Sequence, residues 1–242
     1  MKISAKTDRG RVRPDNQDSY AVGEMTGGVA WAVVCDGMGG AAGGYLASTE
    51  SVRIISERLA SSYRPGMNET SVKNILVSAI NAANVNIYDI SSTNSEFSGM
   101  GTTVVAAIVC EDTVYIAHVG DSRAYIINSQ GVRQLTRDHS LVQNLLDVGK
   151  LSPNEAKEHP YKNVITRALG VNETVEVDFC VESFSKDDAL LICTDGLTNF
   201  VSTDDILKST ADGKVYEFAE RLVTAANNNG GGDNITAVVI SH

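Results

Sequence analysis

Residues 102–128 read TTVVAAIVC (102–110), ED (111–112), TVYIAHV (113–119), GDSR (120–123) and AYIIN (124–128). Three β-branched and aromatic runs are joined by connections of only two and four residues. Parallel neighbours need a crossover of about a dozen residues or more, so these runs pair as antiparallel hairpins. Working outward, strands are expected at Ile3–Thr7, Ser19–Val22, Val29–Cys35, Thr174–Val181, Ala189–Cys193 and Ile235–Ser241. Tyr45–Ser62 and Val215–Asn227 read as helices. The clearest helix carries Val72, Ile75, Leu76, Ala79, Ile80, Ala83, Ile87 and Ile90 at spacings of three and four, a stripe suited to packing on a sheet. Strand blocks alternating with helix blocks, linked by hairpins, give an α+β fold rather than a doubly wound parallel one. No linker or repeat divides the chain, so residues 1–242 are expected to form one domain. Residues 138–170 are polar with short helices, and Ser152-Pro153-Asn154-Glu155 reads as a capping box; this segment is a candidate flap over one end of the core.

The composition narrows the function classes. Of 242 residues, 43% are hydrophobic and 21% charged, which is ordinary for a globular chain. The formal net charge of −10 argues against nucleic acid as a partner, because phosphate neutralisation needs basic patches. No run reaches about 18 apolar residues, so no membrane span is expected. The N-terminus lacks an apolar signal core, and the chain is expected to be cytoplasmic. Cys35, Cys110, Cys180 and Cys193 are widely spaced in apolar runs and read as reduced core residues, and Trp31 as a core residue. His118, His139, His159 and His242 show no zinc-site spacing; His118 and His139 read as structural.

Four aspartates lie where strands begin or end. Asp36 follows Val29–Cys35, Asp121 follows the run ending at Val119, Asp195 follows Ala189–Cys193, and Asp233 precedes Ile235–Ser241. In an antiparallel sheet the end of one strand lies beside the start of its neighbour, so all four can gather at one edge. Carboxylates so gathered repel one another and call for bound cations. An all-oxygen set without thiolate or imidazole suits Mg²⁺ or Mn²⁺. Arg9, Arg11 and Arg13 stand within five residues, ahead of Asp18, and can offer a guanidinium fork to phosphate oxygens.

With these features in place, the chain resembles the metal-dependent protein phosphatases, the type 2C serine/threonine family, in its bacterial form. The motifs run in the family's order from Thr7 to Ile240. They are RPDNQD (13–18), DGMGG (36–40), GTT (101–103), VGDSR (119–123), LTRDHS (135–140), TRALG (166–170), TDG (194–196) and GDNIT (232–236). The resemblance implies a central sandwich of two antiparallel β-sheets flanked by α-helices on both faces, in four α-β-β-α layers. It implies that Asp36, Asp195 and Asp233 hold a first metal. Asp36 bridges to a second, which also takes the Gly37 carbonyl, and Asp121 with Asp195 holds a third, weaker ion. Arg13, Asp18 and Asp36 are the implied catalytic residues, Arg13 binding phosphoryl oxygens and Asp18 holding a metal-coordinated water. Residues 141–170 match the family's flap subdomain. The implied reaction is hydrolysis of phosphoserine and phosphothreonine monoesters by a metal-activated water, with Mg²⁺ or Mn²⁺ as cofactor. The implied partners are phosphorylated proteins and a serine/threonine kinase that shares them; neither nucleic acid nor membrane is expected, and the chain is expected to act as a monomer.

Four positions depart from the family pattern. Gln17 stands where many relatives have glutamate, Met38 where eukaryotic members have histidine, and Ala41 and Tyr45 where bacterial members often have histidine and glutamate. None removes a side-chain ligand of the first metal. Two other functions fit the same chain: a phosphatase-like binding module without turnover, and a hydrolase of small phosphate esters. Retention of Asp36, Asp195 and Asp233 argues against the first.

Overall fold

Strands that are apolar at nearly every position need cover on both faces. The computed structural model describes residues 1–210 and 214–242, and of Ala41 only the backbone. The N-terminal part comprises β1 (Lys2–Asp8), β2 (Asp18–Met25), β3 (Val29–Met38), α1 (Ala41–Ser62), α2 (Glu69–Thr93), β4 (Gly101–Thr102), β5 (Val104–Val109) and β6 (Thr113–Val119). β7 (Arg123–Asn128), β8 (Gly131–Gln134), α3 (Leu141–Asp147), α4 (Pro153–Glu158) and β9 (Asp178–Ser183) follow. The chain closes with β10 (Ala189–Cys193), α5 (Asp195–Thr198), α6 (Thr203–Thr210), α7 (Val215–Asn228) and β11 (Ile235–Ser241). One sheet has the order β1-β11-β10-β7-β8; the other has β2-β3-β5-β6-β9, with β4 added beside β3. Every pairing is antiparallel.

Side-chain alternation sorts the residues into three apolar layers. Val104, Ala106 and Ile108 of β5 join Val33 and Cys35 in packing against α1 and α2. Val105, Ala107 and Val109 turn the other way and meet Leu190, Ile192, Val238 and Ile240 between the sheets. Leu191, Cys193, Ala237 and Val239 in turn cover Phe218, Leu222 and Val223 of α7. The result is the expected α-β-β-α sandwich. Among the described residues, no helix is long and apolar enough to cross a membrane.

The structure corrects several boundaries. β3 does not stop at Cys35 but runs to Met38, because β2 and β4 supply ladder partners on either side: Asp36 faces Asp18, and Gly37 faces Thr102. β9 begins at Asp178 rather than Thr174, where its pairing with β6 starts; just upstream, the carbonyls of Asn172 and Glu173 accept from the Asn84 side chain instead. α1 begins at Ala41, ahead of the expected Tyr45. Glycines on both elements let it lie on β3: a Cβ on Gly37 of β3 would stand 2.0 Å from the Gly44 carbonyl oxygen, and one on Gly44 of α1 2.9 Å from the Gly37 carbonyl carbon. Ser152 and Glu155 form the expected capping box. Ser202 caps α6 by accepting from the Asp205 N–H. The four cysteines are free, but only Cys35 and Cys193 are buried; Cys110 and Cys180 are half-buried. Trp31 is also half-buried, with its indole over Gly23.

Candidate active site

The expected aspartates meet at one end of the sandwich. Asp18 and Asp36 are cross-strand partners in β2 and β3. β10 ends where β11 begins, with Cys193 opposite Ala237, which brings Asp195 and Asp233 side by side just beyond the ladder. β6 ends at Val119 opposite the start of β5 at Val104, and Asp121 follows. The Asp36 carbonyl accepts from the Thr103 N–H at 2.9 Å and the Thr102 hydroxyl at 2.8 Å, so the start of the β5 segment fixes the end of β3.

Burial and mutual repulsion act on Asp18, Asp36, Asp121 and Asp195. Asp36 is pushed well above the ordinary carboxylate range, by burial first and then by the charges of Asp18, Asp195, Asp121 and Asp233. Burial lifts Asp18 to about 7 against two hydroxyl donors. Asp121 also rises to about 7, through burial and then the charges of Asp195 and Asp138. Asp195 moves upward through burial and the charge of Asp233. A site that resists ionisation of its own carboxylates is one that divalent cations stabilise. The donor set is all oxygen, and Asp18 Oδ1 is buried without a partner, so the residues fit hard divalent ions.

Arg13 is engaged elsewhere than on phosphate. Its Nε donates to Asp233 Oδ1 at 2.8 Å and its Nη2 to Asp233 Oδ2 at 2.9 Å. The Asp233 hydrogen bond and charge raise the guanidinium further above its ordinary value. Asn234 organises the arginine loop from beneath. Its Oδ1 accepts from the Gln17 N–H, and its Nδ2 donates to the Arg9 and Asp15 carbonyls at 2.9 and 2.8 Å. The Gln17 amide packs on α1, where a Cβ on Gly44 would stand 2.0 Å from its Oε1. Met38 ends β3 opposite Gly101. Tyr45 is exposed, and the side chain of Ala41 lies outside the described residues. Sequence reading assigned no role to Asn234, Thr194 or Thr236; the available signal was a polar residue at the end of an otherwise apolar run.

A cleft of about 580 Å³ extends from Asp121 and Asp195 beneath α3 and α4, lined among others by Leu146, Lys157, Phe200 and Ile206. Its wall includes the Arg123–Asp138 pair, joined by Nε–Oδ1 at 2.9 Å and Nη2–Oδ2 at 2.6 Å. The segment carrying α3 and α4 is pinned where it leaves and rejoins the core: Leu141 N–H donates to the Val164 carbonyl, and Thr166 N–H to that of His139, both at 2.8 Å.

Behind Asp121, ring nitrogens of His118 and His139 and a carboxylate oxygen of Asp178 lie within 4.8 Å of one another. The hydrogen bonds make this a scaffold. Gly120 N–H donates to His139 Nδ1, and His139 Nε2 lies 3.1 Å from Arg167 Nη1 and 3.4 Å from Asp178 Oδ2. His118 Nε2 donates to the Arg137 carbonyl. Burial lowers both histidines from their ordinary value, and the Arg167 guanidinium already neutralises Asp178 at 2.6 Å. Hydrogen bonds thus tie both rings to backbone groups, at the Arg137 carbonyl and the Gly120 N–H.

Comparison with known proteins agrees with this geometry. Residues 10–235 match the family model described as protein phosphatase 2C. The chain is 41% identical to the serine/threonine phosphatase stp of Listeria monocytogenes, covering 99% of this chain and 95% of that one. The serine/threonine phosphatase Stp1 from Staphylococcus aureus superposes with a TM-score of 0.94 at 33% identity, covering 100% of this chain and 94% of that one. The catalytic domain of the phosphatase PstP, solved in complex with 2 manganese ions, superposes at 0.85 with 33% identity, covering 98% and 96%.

Proposed function

The chain belongs to the protein phosphatase 2C family and is a divalent-metal-dependent protein serine/threonine phosphatase, and from that premise we propose how its own residues divide the work. Asp36, Asp195 and Asp233 would hold one divalent ion; Asp36 and the Gly37 carbonyl would hold a second, and Asp121 with Asp195 would hold a third more weakly. Mg²⁺ or Mn²⁺ suits these oxygens. Once bound, the ions supply the charge that keeps the carboxylates ionised and the Lewis acidity that activates water toward phosphorus.

The protein groups do the rest. Arg13 leaves Asp233 and turns its fork to the phosphoryl oxygens, where it stabilises the charge that grows on them as the ester bond breaks. Asp18 offers Oδ1 as a free acceptor that orients water. The substrates are phosphorylated proteins. The cleft under α3 and α4 receives the chain around the phosphorylated residue, and residues 141–170 act as a flap subdomain within a single domain spanning 1–242. A serine/threonine kinase acting on the same substrates is the implied counterpart. The enzyme works in the cytoplasm as a monomer, and its net charge of −10 disfavours nucleic acid or an anionic membrane as partner.

The observation that carries this reading is the convergence of Asp18, Asp36, Asp121 and Asp195, each lifted by burial and by its neighbours' charges. The test is Mn²⁺-dependent release of phosphate from a phosphothreonine peptide, run beside small metabolite phosphates. Asp36→Asn and Asp195→Ala are expected to lose at least about a hundredfold in turnover. Near-normal turnover in either variant removes the metal assignment, and a preference for the small esters removes proteins as the substrate class.

A further inference from the structure

Three threonines form one rung across the first sheet at the end nearest the aspartates. Thr7 of β1 and Thr236 of β11 are cross-strand partners, and Thr194, just past β10, donates its backbone N–H to the Thr236 carbonyl at 3.2 Å. By alternation Thr7 follows Ile3 and Ala5, Thr194 follows Leu190 and Ile192, and Thr236 precedes Val238 and Ile240, all of them residues of the layer between the sheets. Continued apolar packing would place valine at these positions. Hydroxyls stand there instead, and they meet Asp18, the first residue of β2 in the opposite sheet.

With Asp18 ionised, the directions of the hydrogen bonds are forced. Thr236 Oγ1 and Thr194 Oγ1 lie 2.7 and 2.9 Å from the same oxygen, Asp18 Oδ2. A hydroxyl has one proton, and both spend it there. Thr7 Oγ1, 2.8 Å from Thr236 Oγ1, must then donate to it. Thr7 in turn accepts from Asn16 Nδ2 at 2.9 Å, and Thr194 Oγ1 accepts from the Thr236 N–H at 3.0 Å. The Thr194 and Thr236 hydroxyl protons go to Asp18 Oδ2, and the Thr7 proton goes to Thr236 Oγ1 behind them. Its other oxygen, Oδ1, is buried with no partner.

We propose that the Thr7–Thr236–Thr194 rung is a positioning device for the metal centre, which locks Asp18 through Oδ2 so that Oδ1 is its single open acceptor. The affinity of the centre for divalent cation therefore depends on hydroxyls that need not touch the ion. The idea rests on the metal-centre reading of the aspartates, with Thr7, Thr194 and Thr236 acting through Asp18 as positioning residues. Outer hydrogen-bond partners of this kind commonly govern metal affinity by about 10–100-fold.

The test is calorimetric titration of Mn²⁺ alone into the chelator-stripped full chain, with circular dichroism to confirm folding. Thr236→Val keeps the branched shape and removes the hydroxyl, and is expected to weaken Mn²⁺ binding about tenfold. Thr236→Ser keeps the hydroxyl and is expected to stay within about twofold of the parent. Parent-like binding by Thr236→Val overturns the proposal. So does an equal loss in Thr236→Ser, which assigns the effect to the methyl group. If Thr236→Val does not fold, Thr194→Val and Thr194→Ser make the same comparison: a loss in the valine variant alone supports the rung, and parent-like binding or an equal loss in both overturns it. Asp195→Ala serves as the control: if it still binds Mn²⁺ like the parent, the metal centre itself is misassigned, whatever the threonine variants do.

Discussion

Arg13 holds Asp233 by both carboxylate oxygens, at 2.8 and 2.9 Å, so a residue expected to grip substrate instead covers a residue expected to grip metal. The pair sits at the mouth of the site, with the arginine side chain 54% exposed, and an ion pair in such water-rich surroundings contributes at most about 1 kcal/mol. It is weak enough to exchange. On the proposed metal assignment, Arg13 is a stand-in cation that would have to move before Asp233 could bind an ion.

Arg13→Ala separates the two roles by sign. Without the guanidinium, Asp233 is free, and Mn²⁺ is expected to bind the substrate-free enzyme up to about fivefold more tightly. The phosphopeptide loses a charged fork, and its KM is expected to rise about tenfold or more. Calorimetry for the metal and steady-state kinetics for the peptide read the two effects independently. A fall in metal affinity would show that Arg13 supports the centre rather than competing for it.

The raised carboxyls set a pH dependence for the metal-free protein. Asp18 and Asp121 titrate near 7 in the fold against an ordinary 3.8. Between those values the folded chain holds protons that the unfolded chain has released, so folding stability falls as pH rises through the window. With chelator present, Tm is expected to be higher at about pH 5 than at about pH 8. Mn²⁺ binds the ionised form, so it is expected to restore Tm mainly at the higher pH. A chelated protein with flat or rising Tm across this range would show that the aspartates do not strain one another.

The sequence made the gathering of the aspartates legible because each lies at the margin of an apolar run, and antiparallel pairing leaves few places for such margins to meet. The hairpins at 102–128 likewise follow from connections too short for any other pairing. Less legible was the course of β3 through Asp36 to Met38, because the glycines that suggest a turn serve the close approach of α1 to Gly37. The threonine rung was illegible for a different reason. Thr7, Thr194 and Thr236 are far apart in the chain, and β-branched residues in strands signal only strand. Their shared target is visible once the two sheets are stacked.

His139 offers a last test, because it touches the site only through backbone. Its Nδ1 accepts from the Gly120 N–H at 3.0 Å, its own N–H donates to the Gly120 carbonyl at 2.9 Å, and its ring stacks on His118 with centroids 4.8 Å apart. Gly120 directly precedes Asp121. His139→Phe keeps the stack and the backbone bond but leaves the Gly120 N–H unpaired, at a cost of about 1–3 kcal/mol, and removes the Nε2 contacts with Arg167 and Asp178. Tm is expected to fall accordingly. The weakest Mn²⁺ site, the one assigned to Asp121, is expected to need several-fold more metal, while the tighter sites keep their affinity. Loss of the tight sites in a folded His139→Phe protein would place this histidine in the metal centre itself, against the hydrogen-bond directions that make it a scaffold.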